Sequence, residues 1–218
     1  MTTPATQNVA TSAEEAAKLK PRAEFRVFGH GLIEGVKAHM WNGRTVLQQA
    51  RSMPAETYFV SRHTHGVNVK VRDGLLDIKV KTGETPEGYE IFQPRGKFKF
   101  PVTRGDLALI LEKLKAAMPA ELSEMETCTF EAFLAAARRH ADLVPVTVEK
   151  VRWGFTIDGI ICEYAQVYMN GALLESACVE SEDYAAMRAV IEGLGLSARP
   201  NVNYLKALSG VVGVAIAS

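Results

Sequence analysis

The chain has 218 residues, 47% of them apolar, with 25 basic and 25 acidic side chains that cancel to a formal charge of zero. That length and composition suit one large domain with a sizeable core, and the balanced charge argues against a general nucleic-acid or acidic-membrane binder. Cys128, Cys162 and Cys178 are widely spaced and form no Cys-x-x-Cys pair, which excludes a disulfide framework or a zinc motif. With no apolar run of membrane-spanning length and no basic-then-apolar leader, the expectation is a soluble cytoplasmic protein.

In chain order, residues 1–21 are rich in Thr, Ala and Ser and read as a mobile N-terminal segment, with Ser12 able to start a short helix. Ala23 to Phe28 alternates as a first strand, placing Glu24 and Arg26 on one face and Phe25 and Val27 on the other. Ile33 to Ala50 carries mixed helical spacing, read as one or two short helices before Pro54. Tyr58 to Arg62 reads as a strand. Gly66 to Lys81 then forms the best-patterned hairpin, turning at Asp73-Gly74, a pair suited to the two positive-φ positions of a type I′ turn.

That turn fixes the register: Arg72 opposes Leu75, Lys70 opposes Asp77, and Asn68 opposes Lys79. One face of the ribbon holds Val67, Val69, Val71, Leu76, Ile78 and Val80. The other holds Asn68, Lys70, Arg72, Asp77, Lys79 and Lys81. Tyr89 to Phe92 and Lys97 to Phe100 read as two further strands around a turn at Pro94-Arg95-Gly96, with Lys97 and Lys99 sharing a face.

The middle is helical. Asp106 is expected to cap a helix carrying Leu107, Ile110, Leu111 and Leu114, and a second helix runs from Phe130 to His140. Turn signals at Asp158-Gly159 and Asn170-Gly171 make Val146 to Glu180 a three-stranded meander. Its register puts Lys150, Arg152, Glu163, Ala165, Ser176, Cys178 and Glu180 on one face, and Val151, Trp153, Phe155, Cys162, Tyr164, Ala177 and Val179 on the other. Ser181 is expected to cap a helix ending near Gly193. Asn201 to Leu208 forms another, and residues 211–218 are a tail or short strand.

Four basic pairs at i,i+2 stand out: Lys70/Arg72, Lys79/Lys81, Lys97/Lys99 and Lys150/Arg152. Side chains of like charge next to one another on a sheet are unfavourable. Either these faces lie in water, as on many antiparallel sheets, or the strands close into a barrel whose charged interior holds an anion. The pattern leaves both open.

Five segments in order, ETYFV at Glu56–Val60, VKVRDGLLDIKVK at Val69–Lys81, VEKVRW at Val148–Trp153, NGALLESACVESED at Asn170–Asp183 and NVNYLKAL at Asn201–Leu208, resemble the CYTH superfamily of triphosphate tunnel metalloenzymes. The resemblance implies an α+β fold, a closed antiparallel eight-stranded barrel with flanking helices, as one domain over residues 22–210. It also implies a small phosphorylated ligand such as a triphosphate, and Mg²⁺ or Mn²⁺. Carried over to this chain, Lys70, Arg72, Lys79, Lys150 and Arg152 would bind the phosphates, and Arg26, Lys81, Lys97 and Lys99 are expected to add to that cationic lining. Glu24, Glu163 and Glu180 would be catalytic acids, with Glu24 and Glu180 on the metal.

The chain departs from the pattern where the family's first strand reads Glu-x-Glu-x-Lys and this one reads Glu24-Phe25-Arg26-Val27-Phe28, and where Val167 replaces a frequent Asp. Metal-dependent hydrolysis, ligand capture without cleavage, and an interaction scaffold on the same barrel therefore all stay open. His63-x-His65 reads as incidental rather than metal-binding, Cys178 as a small half-buried residue rather than a reactive one, and Trp153, Tyr164 and Tyr168 as core.

Overall fold

The structure is a computed structural model that describes residues 21–215; the expected mobile segment before Pro21 and the last three residues lie outside the described residues. Among the described residues, ten strands and six helices follow in order. They are β1 (Arg22–Gly29), α1 (Leu32–Met40), β2 (Thr45–Ser61), β3 (Val67–Arg72), β4 (Leu75–Glu84), β5 (Glu90–Lys99), β6 (Val102–Thr103), α2 (Arg104–Lys113), α3 (Ala120–Ser123), β7 (Thr127–Cys128), α4 (Phe130–Arg139), β8 (Leu143–Ile157), β9 (Ile160–Met169), β10 (Ala172–Ser181), α5 (Tyr184–Gly193) and α6 (Tyr204–Val211). Eight strands close into an antiparallel barrel in the order β1-β10-β9-β8-β2-β3-β4-β5. β6 and β7 form a small separate pair.

All three hairpins turn where the local chemistry requires. Asp73-Gly74, Asp158-Gly159 and Asn170-Gly171 each have positive φ at both positions. The pairs Arg72↔Leu75, Lys70↔Asp77 and Asn68↔Lys79 hold as read. Because side chains alternate along a strand, each apolar face then turns outward as a unit. Val69, Val71, Leu76 and Ile78 pack under α2, α3 and α4 through Leu107, Ile110, Leu111, Leu122 and Phe133. Phe25, Val27, Phe155, Cys162, Tyr164, Ala177 and Val179 pack under α1 and α5 through Leu32, Val36, Met40, Met187 and Ile191.

A third apolar cluster lies inside the barrel. Tyr58, Val60, Val146, Val148, Ala165, Val167 and Met169 meet Tyr204, Leu205 and Leu208 of α6, with Phe28 and Leu174 packed against them. Helix α6 therefore plugs one end of the barrel. Asn203 caps it, its side chain accepting from Lys206 N and donating to the buried Glu90 at 2.8 Å. The segment before it completes the wall: Arg26 N–H donates to Asn201 Oδ1 at 2.9 Å and Val202 N–H donates to Arg26 O at 2.7 Å, where β1 has left β5 behind.

Several expectations change. Residues 45–53 are strand, not helix, pairing with β8 from Ile157 to Lys150. Their helix-forming residues (Leu, Gln, Ala, Arg) are overridden by that long ladder, which shifts register between Leu47/Gln49 and Met53/Glu56. Pro94-Arg95-Gly96 is no turn but an irregularity inside the continuous strand β5. Thr103, not Asp106, caps α2, in a reciprocal arrangement with Asp106. Asp183, not Ser181, caps α5. Tyr168 is exposed rather than core.

Candidate functional site

Reading inward-facing positions along each strand shows a gradient from charged to apolar. On β1 they run Glu24, Arg26, Phe28. On β8 they run Arg152, Lys150, Val148, Val146, and on β9 Glu163, Ala165, Val167, Met169. The charged ends of these series surround one cavity of about 170 Å³, lined among others by Glu24, Arg26, Lys70, Arg72, Lys79, Lys150, Arg152, Glu163, Glu180 and Tyr204. Cations from β1, β3, β4 and β8 thus meet around a single hollow instead of spreading over the surface. Phe28 and Val167, two of the three departures from the pattern that the resemblance describes (the third is Arg26), belong to the plugged end, where packing rather than charge is required.

The deepest charged group is Glu56 on β2, with a fully buried side chain. Its Oε1 accepts from Lys70 Nζ at 3.0 Å and its Oε2 from Lys150 Nζ at 3.3 Å, while Arg72 Nη1 stands 3.6 Å from Oε1. Tyr58 also donates its hydroxyl to Oε2 at 3.2 Å. Burial alone would raise the Glu56 pKa, but Lys70 and Lys150 override it and hold the carboxyl below its usual range. Lys70 is pulled the other way: burial, reinforced by Lys150 and Arg72 against the attraction of Glu56, lowers its pKa to about 8. Glu56 is absent from the residues that the resemblance assigns to the site. Its signal in the sequence is slight: one acid two positions before Tyr58, on the inward parity of β2.

Arg26 organises the opposite wall. Its Nε donates to Glu24 Oε1 at 2.8 Å, and its Nη1 donates to Ser176 Oγ at 2.9 Å and to Glu163 Oε1 at 3.3 Å. The guanidinium lies 4.7 Å from the centroid of the Tyr204 ring, a favourable cation–π placement. Burial opposes ionisation of Glu24, yet Arg26 beside it keeps the carboxyl below its usual range. The other oxygen of Glu163 takes Arg152 Nη1 at 3.2 Å. Glu180 lines the cavity but pairs with Arg22 at 3.4 Å.

The remaining cations differ. Lys79 lines the cavity and, among the described residues, makes no ion pair. Lys97 faces Asp77 across the β4–β5 ladder, 3.6 Å from its carboxylate, in a groove at the barrel mouth with Arg51 and Arg72. Lys99 is exposed further out beside Leu75. Lys81 pairs with Glu84 and, at 3.1 Å, with Glu90, next to the α6 cap. These three do not line the cavity.

Four buried polar atoms on the lining have no hydrogen-bond partner among the described residues: the donors Arg152 Nε and the Tyr204 hydroxyl, and the acceptors Asn68 Oδ1 and Asp77 Oδ1. Leaving such a group unsatisfied costs about 1–3 kcal/mol, so an occupant with acceptor oxygens would serve the two donors, and a water or a protonated oxygen the two acceptors. The other candidates are accounted for locally. His63 pairs with Asp142 and His65 with Ser209. Cys178 is buried, and burial pushes its thiol pKa up, away from reactivity.

No family profile and no curated protein matches this chain. Solved structures of similar chain path include a protein from Hippeastrum described as having a dominant triphosphatase activity, at TM-score 0.49 and 10% identity over 88% of this chain and 96% of that one. A conserved hypothetical protein from Pyrococcus furiosus has TM-score 0.48 and 14% identity over 85% and 98%. A Pyrococcus horikoshii protein has 0.46 and 14% over 86% and 98%. No helix among the described residues is long and apolar enough to cross a membrane. The closed ring of eight antiparallel strands, with helices on its outer faces and a charged hollow within, is the α+β CYTH-like fold that the sequence resemblance implies.

Proposed function

We propose that the barrel captures a compact phosphoanhydride anion, of the tripolyphosphate kind, in its charged hollow. The observation that carries this is the convergence of Lys70, Arg72, Lys79, Lys150 and Arg152 from three strands on one cavity. Cations held this close repel one another; Glu56 offsets that for Lys70, Lys150 and Arg72, and Glu163 for Arg152, while Lys79 makes no ion pair among the described residues. A chain of phosphoryl oxygens would satisfy Lys79, Arg152 Nε and the Tyr204 hydroxyl together through charge-assisted hydrogen bonds. At about 170 Å³ the space falls below the roughly 300–1,000 Å³ typical of drug-sized ligands. That favours an inorganic anion over a whole nucleotide.

The Mg²⁺ or Mn²⁺ that the resemblance implies would fall to Glu24 and Glu180, with Glu163 as the third acid. A hard dication wants carboxylate and water oxygens in octahedral array. Here Glu24 and Glu163 are engaged by Arg26 and Arg152, and Glu180 is turned to Arg22. Among the described residues no three His, Cys, Asp or Glu side chains converge as a metal site. The donor set does not fit the ion, and no step of the capture runs through one.

Titrating tripolyphosphate while following the melting transition and phosphate release tests this. Stabilisation of about 2.7 kcal/mol is expected at one hundred times the dissociation constant, without release, and Lys79→Ala should weaken it. Release alongside stabilisation would turn the reading into hydrolysis. No stabilisation at any concentration would remove it.

A further inference from the structure

The hollow already contains a cation at the place where its acids meet. Arg26 is only 6% exposed, and its guanidinium bonds the Glu24 and Glu163 carboxylates and the Ser176 hydroxyl, over the face of Tyr204. Every polar partner it uses is a group that would otherwise present oxygen to an incoming ion. Its backbone is fixed on both sides as well, by Cys178 of β10 across the ladder and by Asn201 and Val202. The guanidinium is therefore a built part of the wall. Unlike a bound ion, it cannot leave or be exchanged.

We propose, resting on the tunnel reading above, that Arg26 is a permanent substitute for a divalent ion and that the protein selects the metal-free form of its phosphoanhydride ligand. A metal-complexed anion is the poorer ligand on two counts. Part of its charge is already neutralised, so it gains less from the six lining cations Arg26, Lys70, Arg72, Lys79, Lys150 and Arg152. The dication would also be carried in among those cations, while the carboxylates that could receive it are held by arginines. With Glu56 included, the lining cations outnumber the adjoining carboxylates Glu24, Glu56, Asp77, Glu163 and Glu180 by one. The hollow is thus poised for free anion.

Calorimetric titration of the full chain with tripolyphosphate, in EDTA and again in excess Mn²⁺, decides the matter together with a titration of Mn²⁺ alone. Expected are saturable binding in EDTA, weaker binding in excess Mn²⁺, and no saturable uptake of Mn²⁺ by the protein. Equal or tighter binding in Mn²⁺, or Mn²⁺ binding to the protein alone, would overturn the proposal while leaving the tunnel reading intact. No tripolyphosphate binding in either condition would sink the tunnel reading and this inference with it.

Arg26→Gln should lower the metal-free affinity about tenfold, the loss of one charge-assisted contact, and should make Mn²⁺ raise the affinity instead of lowering it. Unchanged metal-free affinity in that variant would count against Arg26. Should it not fold, Arg26→Lys serves instead: it keeps the charge and is expected to keep the wild-type response to Mn²⁺, and a switch to metal-dependent binding would count against the proposal.

Discussion

The two ends of the barrel interior are made from the same strands and differ only in which side chains those strands point inward. At one end Phe28, Val60, Val146, Val148, Val167 and Met169 close on α6, and the interior is an ordinary packed core. At the other, Arg26, Lys150 and Arg152, a few residues along β1 and β8, join Lys70 and Arg72 of β3 in lining a hollow. The packed end derives its stability from excluded water and close contact. The charged end is costly to form, because ions held in a confined space lose hydration. The comparison teaches that the plug supports the hollow: burial at one end offsets the crowding of like charge at the other.

The strongest way to break that comparison is to remove the acid at its centre. Glu56→Gln leaves Lys70, Lys150 and Arg72 without their shared counter-ion and should cost about 3–5 kcal/mol in denaturant unfolding. Tripolyphosphate should restore more stability to this variant than to wild type. A variant as stable as wild type would mean that these cations do not depend on Glu56. Next in size is Leu208→Ala in the plug, which should cost about 2–5 kcal/mol and leave tripolyphosphate affinity nearly unchanged, as isothermal calorimetry would show. A large fall in affinity would indicate that the two ends are not separable.

Smaller effects sharpen the picture. Lys79→Ala removes an exposed cation that has no ion pair among the described residues, so stability should stay within about 0.5 kcal/mol while affinity falls about tenfold. The smallest effect is on pH dependence. Lys70 has its pKa lowered to about 8 from an ordinary 10.5, so it loses its proton in the folded protein before it would in the unfolded chain. Between those values the unfolded chain binds more protons, and this group's contribution to stability rises with pH. Affinity for the anion should fall over the same window as the charge is lost. Affinity measured from pH 7 to 10 checks this, and Lys70→Arg should flatten the decline.

Much of this was legible in the sequence because turn chemistry is local. Asp-Gly and Asn-Gly pairs fixed three hairpins, and with them the faces on which Lys70, Arg72, Lys150, Arg152, Glu163 and Glu180 lie. What was not legible depended on distant partners. Thr45 to Met53 becomes a strand only because β8 lies beside it. Lys97 and Lys99 share a face as read, but that face passes the mouth of the barrel and turns into solvent. Glu56 takes its meaning from Lys150, 94 positions away. Asn201 takes its meaning from Arg26 and Gly88. The gradient from charged to apolar along β1, β8 and β9 could have been read directly, and it identifies Phe28 and Val167 as lining of the plug.

The seam between β1 and β10 joins groups such as Arg26 and Ser176 that are 150 residues apart in the chain, and the plug that floors the ring comes later still. Contacts so distant in sequence are slow to form, because a long loop must be closed before any of them is made. Topology therefore places the separate hairpins, with their basic strips in water, before the ring in the expected order of formation. The charged hollow is enclosed only where ring and floor meet.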